Sequence, residues 1–173
     1  MLILKLIASA IILCSCAIIG FSLARDCAKR PVALRELQAA LQMLENEINF
    51  MSNLLQDAFV RIAQAINTQS SVIFTTTAEN LRVLGTQASE AWEKSIKQHA
   101  HQLGLKSEDI SILISFGKML GSSDTNGQIN NIRLASAQLK LQQQKAEDMK
   151  KKNEKMYKSL GVLGGMAVIV ILF

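Results

Sequence analysis

Apolar residues run almost unbroken at both ends of this chain and recur at helical spacing between them. Residues 6–24, LIASAIILCSCAIIGFSLA, carry no charge, and residues 156–173, MYKSLGVLGGMAVIVILF, carry only Lys158. The second run makes roughly 27 Å of helix at 1.5 Å per residue, just short of a bilayer's hydrocarbon core. Lys158 can return its ammonium to the headgroups along its own aliphatic stem. The pattern predicts two transmembrane anchors, 1–24 and 156–173, around a helical bundle at 25–141 and a polar helical stem at 142–155.

Inside the bundle the apolar period is that of a helix. Pro31 sits where the first soluble helix is expected to begin, because proline suits a first helical turn. Leu34, Leu37, Leu41, Leu44, Ile48 and Met51 then alternate at spacings of three and four. Ser52 and Asn53 are candidate caps for a second helix carrying Leu55, Ala58, Phe59, Ile62, Ala63 and Ile66, with a loop at 67–70 after it. The run VIFTTT at 72–77 suits a strand, but no second strand-like run exists to pair with it. It is read as the start of a third helix that continues through Leu81 and Leu84 to Gly85.

A fourth helix is expected over 88–103, burying Ala91, Trp92, Ile96 and His99 and ending at Gly104. Ser107 would cap a fifth, with Glu108 and Asp109 at the positive end of its dipole and Gly121 closing it. A long last helix should start near Gln128 and bury Ile129, Ile132, Ala135 and Leu139. The fold class is all-α, about six bundle helices between an N-terminal and a C-terminal transmembrane helix.

Charge places this fold relative to the membrane. The net charge is +5, yet residues 36–148 hold 9 basic against 12 acidic side chains. The excess lies in two collars: Arg25, Lys29, Arg30 and Arg35 after the first apolar run, and Lys150, Lys151, Lys152, Lys155 and Lys158 before the last. Anionic headgroups attract such residues, and basic residues near membrane ends stay cytoplasmic, so the bundle is expected to face the cytoplasm. Competing with the uncleaved anchor are the small residues Ser22-Leu23-Ala24, where a signal peptidase would cut, and a poor lipobox at 13–16. Small residues at helical repeat, Gly161 and Gly165 above all, permit close helix packing in the membrane, although glycine is common in such helices in any case.

Chemistry is sparse. His99 and His101 point about 200° apart on a helix and cannot share a metal, and the same spacing separates Glu45 from Glu47. No nucleotide-binding or hydrolase motif is present. One Trp, one Tyr and no basic stripe argue against nucleic acid. Neither an enzyme, a cofactor nor a small-molecule substrate is indicated.

A more specific pattern remains. Phe116-Gly117-x-x-Leu120-Gly121-x-x-Asp124-x-x-x-Gln128-x-x-x-Ile132 stands with Arg30-Pro31, Ala58-Phe59-x-Arg61-Ile62-Ala63, Ala91-Trp92 and the terminal KMYKSLGVLGG at 155–165. Together these resemble the stage III sporulation protein AB family from end to end. Leu54-Leu55 departs from the proline-containing turn expected before Asp57-Ala58-Phe59. The resemblance implies a component of the channel between mother cell and forespore, in the outer forespore membrane. It implies a domain similar to the cytoplasmic domain of type II secretion and type IV pilus platform proteins, which receives an ATPase, here the stage III sporulation protein AA. In Phe116, Gly117, Leu120, Gly121, Asp124 and Gln128 either a structural turn, with Asp124 as a cap and Gln128 reaching the Phe116-Gly117 turn, or a docking edge for the ATPase is expected. The alternative function is a membrane-tethered, self-associating adaptor with no motor partner; a cleaved secreted helical protein is a third.

Overall fold

The structure, a computed structural model, describes residues 2–50, 54–83, 86–121 and 124–172. Six helices account for nearly all of them, and no strand occurs among the described residues: α1 (Leu2–Phe50), α2 (Leu55–Ile66), α3 (Ser71–Leu81), α4 (Ala88–His99), α5 (Ser107–Gly117) and α6 (Thr125–Leu172). The chain divides into two units, Arg30–Gln144 and a second made of Met1–Lys29 with Lys145–Phe173.

In the first unit the leucine stripe of α1 does what its spacing requires. Leu34, Leu37, Leu41 and Leu44 are fully buried, with Ala33 and Ala40 beside them. Met51 lies outside the described residues. α1 and α6 run antiparallel here, for Arg30 and Gln38 meet Gln142 and Gln143, whereas Glu45 meets Arg133. Ile129, Ile132, Ala135 and Leu139 of α6 are buried, as their period implies.

The short helices α2 to α5 pack in chain order, each on the next. At their centre Phe59, Phe74, Trp92 and Phe116 form an aromatic cluster with ring centroids 5.3 to 6.0 Å apart. Truncating one such ring to alanine costs about 3–5 kcal/mol. The β-branched run in α3 is helical because Ile73, Phe74, Thr77 and Ala78 fall on one buried face. Thr77 Oγ1 donates to the Ile73 carbonyl at 2.7 Å and Thr75 Oγ1 to that of Ser71 at 3.2 Å, which satisfies both hydroxyls within the helix.

Several boundaries differ from those expected. α1 does not begin at Pro31 but runs through it. The residues before Pro31 are already helical, so the proline removes one backbone donor from an existing helix instead of opening a new one. The residue at the head of α2 is Leu54, without a side-chain cap, and Ser52 and Asn53 lie outside the described residues. α2 ends on Asn67 in the left-handed region, φ 43°. α3 ends at Leu81, and Leu84 and Gly85 are outside the described residues. α4 stops at His99, four residues early, and the chain turns through Gly104 at φ +70°. Ser107 is the first residue of α5, not its cap; Lys106 holds the cap position, and its N–H donates to Asp109 Oδ2 at 2.9 Å. α6 starts three residues before Gln128.

The second unit consists of residues 2–29 of α1 and 145–172 of α6, all helical. Among the described residues no helix is long and apolar enough to cross a membrane. Most side chains of 6–24, and those of Lys158, Gly161 and Gly165, lie outside the described residues, as do the anchor and packing expectations that rest on them.

Candidate functional site

The motif at 116–128 straddles the end of α5 and the start of α6, and most of it is occupied with holding the fold. Gly117 faces Trp92 so closely that a Cβ there would sit 2.3 Å from Trp92 Cδ1. Real Cβ atoms do not approach ring carbons to that distance, so this position needs glycine. The indole is fixed from the other side too: its Nε1–H donates to the Leu113 carbonyl at 2.7 Å. Phe116 stands edge-on to the indole at 5.3 Å. Leu120 is buried, and Gly121, at φ +74°, takes a backbone conformation that other residues adopt only at a cost.

Asp124 is the N-cap of α6. Its Oδ1 accepts the Gly127 N–H at 3.1 Å and its carbonyl accepts that of Gln128 at 2.9 Å. Asn131, one turn beyond Gln128, donates its side-chain amide to the Phe116 carbonyl at 2.9 Å.

Beside the motif, α5 and α6 enclose a half-open groove of about 220 Å³. Ser111, Ile112, Ser115 and Phe116 line it from α5, and Asn131, Leu134, Ala135 and Gln138 from α6. None of these carries a charge. Leu134 is 58% exposed, and Leu141, two turns on, is 59% exposed. The lining is half hydroxyl and amide side chains and half apolar ones, with exposed leucines on and beyond it. Sequence periodicity missed it, because a stripe of single leucines between polar residues reads as ordinary surface.

A second polar feature joins three helices. The Arg30 guanidinium, with its side chain 8% exposed, donates from Nε to Asp109 Oδ2 at 2.8 Å and from Nη2 to Oδ1 at 2.9 Å. Nη2 also donates to Gln142 Oε1 at 3.1 Å. Nearby, Gln38 Nε2 donates to Gln143 Oε1 at 2.7 Å. Arg30 was expected in the basic collar, Asp109 on a helix dipole and Gln142 at the head of a solvated stem. Instead a long-range pair, invisible to local spacing, buries the arginine and the aspartate.

Other charged residues form pairs nearer the surface. Glu47 binds Arg61, whose pKa is raised first by that hydrogen bond, and Glu45 binds Arg133 at 2.7 Å. His99 Nε2 lies 3.0 Å from Thr76 Oγ1. Among the described residues no group of three His, Cys, Asp or Glu side chains could hold a metal ion.

Comparison with known proteins decides the family. The family model described as stage III sporulation protein AB matches residues 5–173. The chain belongs to the stage III sporulation protein AB family. A relative from Bacillus subtilis (strain 168), named stage III sporulation protein AB, is 36% identical over 169 residues, 98% of this chain and 99% of its own. A solved structure of stage III sporulation protein AB is 33% identical, with a TM-score of 0.67, and spans 71% of this chain and 97% of its own. Membership supports a role in sporulation, and the relatives are named as sporulation proteins rather than as enzymes. In this member of the stage III sporulation protein AB family, Gly117 and Asp124 of the motif are accounted for by packing and capping.

Proposed function

We propose that this chain is a non-enzymatic membrane platform of the sporulation channel between mother cell and forespore. Its helical unit, residues 30–144, is offered on the mother-cell cytoplasmic side to an ATPase of the stage III sporulation protein AA type. It couples that motor to the other membrane components of the channel. The apolar runs 6–24 and 156–173 are the anchors, in the outer forespore membrane, and the basic residues beside them, apart from the buried Arg30, set the orientation.

The single observation that carries this reading is family membership from residue 5 to the last residue, around a helical unit flanked by two apolar runs. Further support comes from the charge-free groove of α5 and α6, whose mixed hydroxyl, amide and apolar lining suits an uncharged protein surface better than a phosphate or a nucleic acid. It adjoins the 116–128 motif, so the docking edge expected there is best sought along Ser111, Ser115, Asn131, Leu134 and Gln138.

The test is capture of the ATPase by the full chain, extracted in mild detergent. The native chain should retain it, and Leu134→Glu, which sets a charge in the groove at an exposed position, should release it without lowering the amount of chain. Equal capture by native chain and Leu134→Glu would move the docking surface elsewhere. Absence of capture by the native chain, with the chain sedimenting as a stable dimer, would favour the self-associating adaptor.

A further inference from the structure

One buried ionic group has no part in that docking surface. Asp109 is fully buried and Arg30 nearly so, and the pair is bidentate. Removing two charges from water is costly enough that an apolar pair of similar volume often does as well for stability. What such a pair does supply is geometry: two parallel bonds fix both position and orientation.

The positions it fixes are telling. Arg30 is the first residue of the compact unit and Gln142 stands within its last three, while Asp109 is in the first turn of α5. The other end of α5 carries Phe116 and Gly117, seven residues on and about 10 Å away at helical rise. There Gly117 abuts Trp92 and Asn131 ties the Phe116 carbonyl to α6. α5 is therefore a short strut, held at one end by the 116–128 edge and at the other by Arg30. The leucine stripe of α1 repeats every turn or so and does not by itself fix a register against α6; Arg30–Gln142, with Gln38–Gln143 and Glu45–Arg133, sets it, and the ion pair ties α5 to the same point of α1.

We propose that Arg30, Asp109 and Gln142 are a latch through which α5 holds α1 and α6 in one register and passes a displacement at the 116–128 edge to both. The source of that displacement, a docked motor, rests on the platform reading above.

The test is made on the full chain in spore-forming cells that depend on it. In Arg30→Met/Asp109→Leu the charges are replaced together, which leaves neither buried alone, while the Lys106 N–H at the head of α5 also loses its acceptor. The amount of chain and its capture of the ATPase should be those of the native protein, with spores lost. Native spore counts in that variant would overturn the latch, and so would loss of ATPase capture at an unchanged amount of chain. Should the double variant be degraded, Gln142→Leu decides, since it removes only the half-buried third arm: a normal amount of chain with fewer spores supports the latch, and native spore counts overturn it. If the native chain captures no ATPase while the double variant still loses spores, the platform reading fails and the latch stands.

Discussion

Gly117→Ala adds one methyl group, and the structure says where it goes. The new Cβ would lie 2.3 Å from Trp92 Cδ1 and 3.1 Å from Cγ and Nε1. Trp92 cannot rotate away cheaply. Its ring stacks on Phe59 at 5.8 Å, meets Phe74 and Phe116 edge-on and is held to the Leu113 carbonyl. Overpacking of this kind costs about 1–3 kcal/mol. Displacing the indole far enough to lose its buried hydrogen bond adds about 1–3 kcal/mol. Alanine returns about 1 kcal/mol of helix propensity. The expected net loss is about 3 kcal/mol. Trp92 is the only tryptophan, so its fluorescence reports directly on the perturbed site during urea unfolding of the full chain in detergent micelles. Gly117→Ala should lower the unfolding midpoint, and Trp92→Phe in the same chain, followed by circular dichroism because it removes the fluorescent reporter, should recover part of the loss. A Gly117→Ala midpoint within about 0.5 kcal/mol of native, the range of innocuous surface changes, would refute the packing argument.

Asp124→Ala removes the cap of α6 and should cost about 1 kcal/mol, read as a lower melting temperature; an unchanged melt with lost ATPase capture would make Asp124 a docking residue instead. Arg133→Gln breaks only an exposed pair with Glu45, and a loss above about 1 kcal/mol would show that the pair has been undervalued. The hydrogen bond from Lys97 holds the Glu93 carboxyl below its usual pKa. A depressed carboxylate contributes stability at neutral pH and loses it as pH falls through and below the ordinary glutamate range, near ~4.3. Its side-chain carbon should titrate low by NMR, and Lys97→Gln should move it upward; no movement would contradict the pairing.

How much of this was legible in the sequence follows from the range of each interaction. The buried stripes of α1 and α6 were readable because a helix repeats locally, and Leu34 to Leu44 and Ile129 to Leu139 obey that repeat. The helical fate of VIFTTT was readable from the lack of a partner strand. Helix starts were not, because proline and serine carry preferences that packing overrides: Pro31 lies inside α1, and Ser107 lies one residue inside α5. Least legible was the Arg30, Asp109 and Gln142 group, whose members are 79 and 112 residues apart from Arg30 in sequence. Gly117 stood out as part of a motif, but its reason, the indole of Trp92, is likewise a contact between helices.

The central claim is that residues 30–144 face the cytoplasm, where an ATPase can reach them. Cys27 is half-buried, so a cysteine is better placed at His101, exposed in the turn after α4, with the native cysteines replaced by serine. Intact cells are treated with a membrane-impermeant thiol reagent, and a second sample after lysis. Labelling only after lysis is the result the platform account requires. Labelling of intact cells would place the helical unit outside, away from ATP, and would contradict both the orientation and the motor.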